Sequence, residues 1–472
     1  MSAAPVAAPT LRPRHARDEA ARIERACHDV WPHTPRLLPW ALAAFLVMLW
    51  VVPFNAISFG VPLPLDRWPL ALVVGLWVLA LIVGGVLRPE IRLGRVHAAL
   101  ALFFVVAVGT LWLNIGLLTN LDELHLAVKK LTALIAYGLF FVVAASIVRP
   151  TEVRHFVNLT IGLAAFTALA TVIEYRSDYN VFYDLGMHLF PGMAVPPDLH
   201  GVDYVGRETT YGPTDTPLEL STQLAMAAPF AVVMTLEAID KRQRAWYGLA
   251  LGVILAGIFA TERKTGIITG AVGAIVLLTY RPLYFRRVLK LGVLLVVMLH
   301  FLAPGAIGSI RVQLTPDHLF GTLSNKDRAS DYGAVSPDIL KRPVFGRGYA
   351  SYEPYKYRIL DNEWLGLVIQ TGFIGAAAFA ALLLTALATA HGTIRARAPG
   401  ISGIALGCSC AIAGFAASAA LFDSLAFPHV MYSLCWTLAL LVGVKRAHQL
   451  AADDNGGAGV RRAEARAAVA RS

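Results

Sequence analysis

The sequence predicts an all-α integral membrane protein with about twelve transmembrane helices and two long extracytoplasmic loops. Of its 472 residues, 57% are hydrophobic and only 15% are charged, whereas a soluble domain has about 45–50% apolar and about 25% charged residues. The apolar residues form long continuous runs, which favour helices over the alternating strands of a barrel. This composition excludes a water-soluble enzyme, a disordered chain and a nucleic-acid binder, although the net charge is +10.

Twelve apolar runs are long enough to be considered as membrane helices, because a bilayer core of about 30 Å requires roughly 20 residues. The run at 265–280 is the shortest and begins with polar and small residues. The runs cover about 38–58, 69–87, 97–119, 131–148, 156–173, 218–236, 245–261, 265–280, 288–305, 364–389, 401–421 and 426–444. They divide the chain into a basic tail over 1–37, a transmembrane domain over 38–445 and a second basic tail over 446–472. The first run starts too late and is too long for a cleavable signal peptide.

The positive charges predict the orientation, since short cytoplasmic loops are enriched in Arg and Lys. With the N-terminus inside, the short inner connections carry thirteen of these residues and the short outer connections carry five. The inner set is Arg88, Arg92, Arg95, Arg149, Arg154, Lys241, Arg242, Arg244, Arg281, Arg286, Arg287, Arg395 and Arg397; the outer set is Arg67, Lys129, Lys130, Arg263 and Lys264. An even number of helices also brings the C-terminus inside, so we predict that both termini are cytoplasmic.

Two outer loops, at about 174–217 and 306–363, are much longer than the others. They contain aromatic residues, Pro and Gly beside balanced charge, and we expect them to fold over the outer face, since long loops of this kind are usually functional or disordered. The four cysteines form no CxxC motif, and no spacing of His, Cys, Asp or Glu is typical of a metal site. The sequence therefore predicts neither a metal nor a cofactor.

Cations at the outer surface are the first candidate site residues. Arg263 and Lys264 are adjacent in a tight outer hairpin, against the positive-inside bias, and Arg207 precedes a predicted helix. Such cations could bind a phosphate, which Arg matches bidentately and Lys meets as a point charge. The alternatives are interfacial snorkelling with Glu262 as a partner, and a solvated Arg207 paired with Glu208.

Polar residues before the tenth run are the second candidate set. Asp361 and Glu363 are carboxylates at the outer surface that could accept a proton from a sugar hydroxyl, and Asn362 lies between them. The alternative is N-capping, because Asp or Asn at a cap and Glu in the first turn favour a helix start. Arg347, which lies between two glycines, and Asn362 are also candidates for a substrate-binding loop. The alternative for Arg347 is a tight turn that needs glycine conformations.

The order of these patches resembles the superfamily of O-antigen ligases and Wzy-type polysaccharide polymerases. The resemblance covers about 200–390 in motif detail and the whole chain in topology. The motifs are Arg207-x4-Gly212-Pro213, then Arg263-Lys264-Thr265-Gly266-Ile267, then Pro343, Gly346 and Gly348 followed by Asp361-Asn362 and by Gly372 and Gly375.

Membership would imply a metal-independent, inverting, membrane-embedded glycosyltransferase. Its donor would be a glycan on undecaprenyl pyrophosphate, and its acceptor a sugar hydroxyl at the outer face of the bacterial cytoplasmic (inner) membrane. Arg207 matches one phosphate-binding arginine of the family, and either Arg263 or Lys264 matches the second. Asp361 occupies the position of the proposed catalytic histidine of the ligases, so the Asp-Asn pair looks more like the exopolysaccharide polymerase branch. Glu262 replaces a small serine.

The sequence leaves two other classes of function open. One is a transporter or flippase of lipid-linked sugars, for which charges deep within helices and two related halves are typical. The other is a non-catalytic scaffold of the cell envelope. The sugar, the linkage, the acceptor and the need for a chain-length regulator as partner are not determined by these residues. The partners we expect are membrane lipids and the carrier-linked glycan, and no nucleic acid.

Overall fold

The computed structural model describes residues 36–56, 64–84, 88–190, 192–197, 199–202, 209–286, 289–290, 292, 323–353, 355–396 and 400–469. For 323–329 and 450–469 only the backbone is described. Within these residues the fold is all α-helical and contains no β-strand. The helices are α1 (Leu37–Val51), α2 (Arg67–Val83), α3 (Arg95–Leu113), α4 (Ile115–Asn120), α5 (Leu124–Ile147), α6 (Val153–Ser177), α7 (Tyr183–Leu189), α8 (Pro217–Glu237), α9 (Lys241–Ala260), α10 (Lys264–Tyr280), α11 (Leu323–Lys341), α12 (Glu363–Arg395), α13 (Ile401–Ser418) and α14 (Pro428–Val469).

Eight of the described helices are long enough and apolar enough to cross a bilayer, which confirms the predicted class of an α-helical membrane protein. They are α3, α5, α6, α8, α9, α12, α13 and the first part of α14, Pro428–Gln449. Three apolar helices are shorter, namely α1, α2 and α10. The predicted run at 288–305 lies almost entirely outside the described residues.

The centre of the bundle is built around α13, which packs against α8, α10, α12 and α14. Small residues allow this close approach: a Cβ added to Gly407 would lie 2.9 Å from the ring of Phe230, and one added to Gly414 would lie 2.7 Å from the carbonyl oxygen of Thr269. Small residues at helix interfaces are typical of membrane bundles, because they let backbones approach. The last turn of α13 is thereby fixed beside the first turns of α10.

The start of α1 and the end of the apolar part of α14 lie at the same end of the bundle. Arg36 donates to the Glu152 carboxylate at 2.8 Å and to the Ile147 carbonyl at 3.1 Å. Arg446 donates to the Ala145 carbonyl at 2.6 Å. Because Arg36 and Arg446 both contact the last turns of α5, we name this the inner end and the opposite one the outer end.

The outer connections contain helices that the apolar runs did not indicate. The predicted loop at 174–217 contains α7, and the predicted loop at 306–363 contains α11. The run at 97–119 is divided at Asn114, where α3 ends and α4 begins, and Nδ2 of Asn114 donates to the Thr110 carbonyl at 2.9 Å. Helix α14 continues to Val469, through most of the segment assigned to the C-terminal tail.

Candidate functional site

The segment 209–216, which precedes α8, is held in place by a buried carboxylate. Glu174 in the last turn of α6 accepts the backbone N–H of Tyr211 at 2.8 Å and that of Gly212 at 2.9 Å. The amide of Asn180 donates to the same carboxylate at 2.8 Å. Gly212 has φ +54°, a conformation that glycine adopts at little cost. Glu174 therefore anchors the chain directly after the predicted anion-binding residue Arg207, which lies outside the described residues.

The same segment is joined to the hairpin between α9 and α10, residues 260–264. Oγ1 of Thr210 donates to the carbonyl oxygen of Ala260 at 3.1 Å. Arg263 is the residue before α10, Lys264 is its first residue, and both side chains are half-buried. The segment after Arg207 thus contacts the end of α9, fifty residues further along the chain and three residues before Arg263.

Glu262, the departure from the family motif, is also constrained. Its φ is +51°, an uncommon value for a residue with a side chain. The hydroxyl of Tyr175 on α6 lies 3.3 Å from its Oε1 atom, and the side chain is buried. Glu262 therefore helps to hold the hairpin against α6.

The first turns of α8 and α10 lie against each other. A Cβ added to Gly266 would lie 2.9 Å from both Cβ and the carbonyl oxygen of Ser221, so no larger residue fits there without movement. The amino ends of helices carry partial positive charge, and here two such ends meet beside Arg263 and Lys264. The carboxylates of Glu219 and Glu262 lie at the same helix ends, and binding of an anion by Arg263 and Lys264 stays a prediction.

The third predicted motif lies at the same end, at the start of α12. Oδ1 of Asn362 accepts the Leu365 N–H at 3.1 Å, so Asn362 is the N-cap. Its Nδ2 atom donates to the Tyr332 hydroxyl on α11 at 2.9 Å. Asp361 precedes the cap and is half-buried. Capping, the alternative to a chemical role for Asp361, is therefore carried out by its neighbour.

Glu363, the other candidate carboxylate, is 5% exposed. Its Oε2 atom accepts the Leu425 N–H at 2.8 Å, and its own N–H donates to the Ala419 carbonyl at 2.8 Å. Both partners belong to the connection between α13 and α14. These contacts show that Glu363 fixes this connection; its catalytic role stays a prediction.

Arg347 is held by a buried carboxylate as well. Its Nη2 atom lies 3.3 Å from Oε2 of Glu123, and its guanidinium lies 4.2 Å from the ring centre of Tyr357. Tyr357 donates to Glu123, and Lys356 lies 3.2 Å from it. Glu123 is 1% exposed. Since a buried charge is stable only when paired, Arg347 serves to attach its loop to the start of α5.

The two glycines beside Arg347 adopt the conformations that the sequence suggested. Gly346 and Gly348 have φ +62° and +111°. A Cβ on Gly346 would lie 2.4 Å from the carbonyl oxygen of Gln370, and that carbonyl accepts the Gly348 N–H at 2.8 Å. The opposing residue Gly372 has φ +69° inside α12 and kinks the helix there. The motif glycines thus allow the outer loop to pack directly on the backbone of α12.

The hairpin at 260–264 and the segment around Asp361 lie on two sides of the carboxyl end of α13. Gly414 of α13 contacts Thr269 of α10, and two residues later the indole of Trp364 donates to the Ala416 carbonyl at 3.2 Å. The last turn of α13 therefore lies between the first turns of α10 and α12. Asp361 is close to this boundary, but the described contacts do not bring it to Arg263 or Lys264.

Glu219 and His429 form a buried acid–imidazole pair beside the site, which the sequence analysis did not predict. Oε1 of Glu219 accepts the backbone N–H of His429 at 2.9 Å and lies 3.0 Å from its Nδ1 atom, while Nε2 lies 3.1 Å from the Val52 carbonyl. The ring of His429 stacks on Phe54 at 4.6 Å. The usable signal was Glu219 itself, because an acid at the start of an apolar run is costly unless it is paired.

Asp215, which is half-buried, is bonded to the Glu219–His429 pair. Its N–H donates to Oε2 of Glu219 at 3.1 Å, and its carboxylate accepts from the amide of Asn55. Burial raises the pKa of Asp215 from 3.8 to about 6; the negative charge of Glu219 adds to the rise, and His429 and the Asn55 bond oppose it. The segment before α8 thus carries a carboxyl whose pKa is raised.

Comparison with known proteins adds no relative. No protein-family model and no curated protein matches the chain. Among the described residues, no three His, Cys, Asp or Glu side chains are grouped so that they could hold a metal ion. The arrangement at the outer end therefore has to be interpreted from its own chemistry.

Proposed function

We propose that this protein is a polysaccharide polymerase or ligase of the O-antigen ligase and Wzy-type superfamily. It would transfer a glycan from undecaprenyl pyrophosphate to a sugar hydroxyl at the outer face of the bacterial cytoplasmic membrane. The observation that carries the proposal is the Thr210–Ala260 hydrogen bond of 3.1 Å. This bond holds the segment after Arg207 at the end of α9, three residues before Arg263, and so supports a common site for the proposed pyrophosphate-binding cations.

In the proposed reaction the acceptor hydroxyl attacks the anomeric carbon with inversion. Asp361 accepts the hydroxyl proton as the new C–O bond forms, and the bond from the anomeric carbon to the pyrophosphate oxygen breaks with its electrons going to the leaving group. Arg207 with Arg263 and Lys264 compensates the charge on that group. Charges that are already in position stabilise a transition state without reorganisation, and holding donor and acceptor together lowers the entropic part of the barrier.

The distribution of charge favours a transferase over the transporter alternative. In the described membrane helices, Asp, Glu, Lys and Arg lie only within about two turns of a helix end. Glu174 is in the last turn of α6, and Glu219 and Glu363 are in the first turns of α8 and α12. Transporters typically place ionisable residues near the bilayer midplane. The charged side chains of the described membrane helices instead lie near the two ends of the bundle.

The proposed topology has twelve membrane helices and cytoplasmic termini. Support comes from the ends of two described helices: α10 ends at the inner end, where Arg281 donates to Ser402 at 3.3 Å, and α11 contacts α12 at the outer end, where Asn362 bonds Tyr332. The chain therefore passes from the inner end to the outer end between α10 and α11, which supports a twelfth membrane crossing there. The 13-to-5 distribution of Arg and Lys supports a cytoplasmic inner end.

Reconstitution would test the proposed reaction directly. The protein in liposomes is supplied with undecaprenyl-pyrophosphate-linked repeat units, and the glycan length is measured by gel electrophoresis together with released undecaprenyl pyrophosphate. The transferase predicts longer glycans and one released carrier for each bond formed. Glycans that cross the bilayer with unchanged length would instead identify a flippase. Glycans that neither lengthen nor change sides would favour the non-catalytic scaffold.

A further inference from the structure

An apolar cleft of about 330 Å³ lies between α9 and α10, with α8 as its floor. Both helices pack along α8, but they contact each other much less, although only a short hairpin connects them. The cleft therefore widens between two neighbouring helices. Its lining includes Pro229, Leu255, Ile258, Ile267, Gly270 and Leu277.

Small residues on α10 leave the cleft open. A Cβ added to Gly270 would meet no atom within 4 Å, so space remains in front of this residue. Ala271, which also lines the cleft, is exposed. The lining is almost entirely apolar, so a flexible apolar chain is the ligand that this cleft suits.

The mouth of the cleft lies directly below the hairpin that carries the cations. Ile258 and Phe259 line the cleft from the end of α9, and Gly266 and Ile267 line it from the start of α10. From Gly266 to Leu277 the lining follows α10 for about 16 Å at 1.5 Å per residue, roughly half of a bilayer core of about 30 Å. An apolar path thus begins within one turn of Arg263 and Lys264.

We propose that this cleft binds the polyprenyl chain of the lipid carrier while the hairpin cations hold its phosphate. The inference rests on the proposed function for the identity of the lipid, and on the cleft for its position. The charge at the mouth matches a phosphate-headed lipid. A polyprenol phosphate carries one chain, which suits a single cleft better than the paired chains of a phospholipid. Chain burial would then select the carrier, and the cations would fix its reacting end.

Binding can be measured without any reaction. The full-length protein in detergent is titrated with undecaprenyl phosphate and, separately, with phosphatidylglycerol, and bound lipid is counted by native mass spectrometry. Gly270→Leu and Ala271→Leu place a side chain in the cleft, whereas Gly109→Leu is a matched control on α3, where an added Cβ also meets nothing within 4 Å. We expect Gly270→Leu to weaken undecaprenyl phosphate binding at least tenfold, Ala271→Leu to weaken it less, and Gly109→Leu to leave it unchanged.

Three results would overturn the inference: equal binding of phosphatidylglycerol, undiminished undecaprenyl phosphate binding in both cleft variants, or equal loss in the Gly109→Leu control. A thermal melt of each variant distinguishes a filled cleft from a damaged fold. Because Ala271 is exposed, its variant should keep the wild-type melting temperature. Polymer synthesis is measured in parallel. If Gly270→Leu loses lipid binding but neither the wild type nor any variant makes polymer, the cleft is supported and the proposed reaction is refuted. If Gly270→Leu makes polymer at the wild-type rate, the reaction is supported and the cleft is refuted.

Discussion

Oε1 of Glu219 lies 3.0 Å from Nδ1 of His429, and neither side chain has any exposed surface. The pair joins the first turn of α8 to the first turn of α14, which are 210 residues apart. Since the same carboxylate also accepts the N–H of Asp215, one buried acid fixes three parts of the outer end. Glu123, Glu174 and Glu363 have comparable roles for their own connections.

The first prediction concerns the stability provided by Glu219. Glu219→Ala should destabilise the protein by about 3–5 kcal/mol, because it leaves the partners of a buried charge without a counterpart. Glu219→Gln should cost less, since the amide oxygen can still accept the His429 N–H. Thermal unfolding in detergent measures both. Glu90→Ala at the inner end, where the side chain is 42% exposed, should change little; equal losses in Glu219→Ala and Glu90→Ala would contradict this role.

The local pattern of the sequence was sufficient for most of the long apolar helices and for several of their boundaries. The runs predicted at 218–236 and 401–421 correspond to α8 (Pro217–Glu237) and α13 (Ile401–Ser418), because length and apolarity alone identify a membrane helix. The helices α7 and α11 were missed, since neither is an apolar run. Their positions depend on packing against the outer end of the bundle.

The anchoring roles of Glu123 and Glu174 were not predicted from the sequence. Glu123 binds Arg347 and Lys356, which are more than 200 residues away, and no local pattern specifies such a partner. In the same way the sequence suggested capping by Asp361, Asn362 and Glu363 together. Only the contacts separate the cap, Asn362, from the anchor, Glu363.

The second prediction concerns the hairpin cations. Arg263→Ala and Lys264→Ala should each slow turnover of carrier-linked glycan about 10- to 150-fold, which corresponds to about 1.5–3 kcal/mol for a lost charged hydrogen bond. The double change should abolish it. Glycan synthesis is measured in liposomes at equal protein content. Lys341→Ala is the control, because this outer cation is 71% exposed and pairs with Asp338; a double variant as active as Lys341→Ala would refute phosphate binding by the hairpin.

The third prediction follows from the raised pKa of Asp215. Between about pH 4 and pH 6 the folded protein keeps a proton on this carboxyl that the unfolded chain has lost. Stability contributed by this residue therefore falls as the pH rises through that range. Asp215→Asn removes the titrating group but keeps a similar shape. Melting temperatures are measured from pH 4 to pH 7. The melting temperature of the wild type should rise relative to that of the variant as the pH falls, whereas parallel curves would exclude a raised pKa.

The fourth prediction concerns the proposed topology. Single cysteines replacing Asn325 and Asn455, in a background without the four native cysteines, are exposed to a membrane-impermeant maleimide in intact cells. Position 325 should be labelled and position 455 only after permeabilisation, because the charge distribution places 306–363 outside and the C-terminal segment inside. The opposite pattern would reverse the orientation and place the proposed site in the cytoplasm.

The last prediction separates chemistry from capping at the start of α12. Asp361→Asn should lower the rate of transfer by about 10²–10⁴, because an amide cannot accept the proton that a general base removes. Its stability should change by no more than about 1 kcal/mol, because Asn keeps the shape of Asp and can accept the same N–H bonds. Asn362→Ala is the matched control: loss of a cap costs about 0.5–2 kcal/mol and should lower the melting temperature while the rate per folded molecule is retained. Asp361→His should restore part of the activity if the imidazole can act as the base.

Rates are measured with purified carrier-linked repeat units, beside a thermal melt of each variant. Wild-type rates in Asp361→Asn would remove this residue from the reaction, and positioning without a protein base would then become the better mechanism.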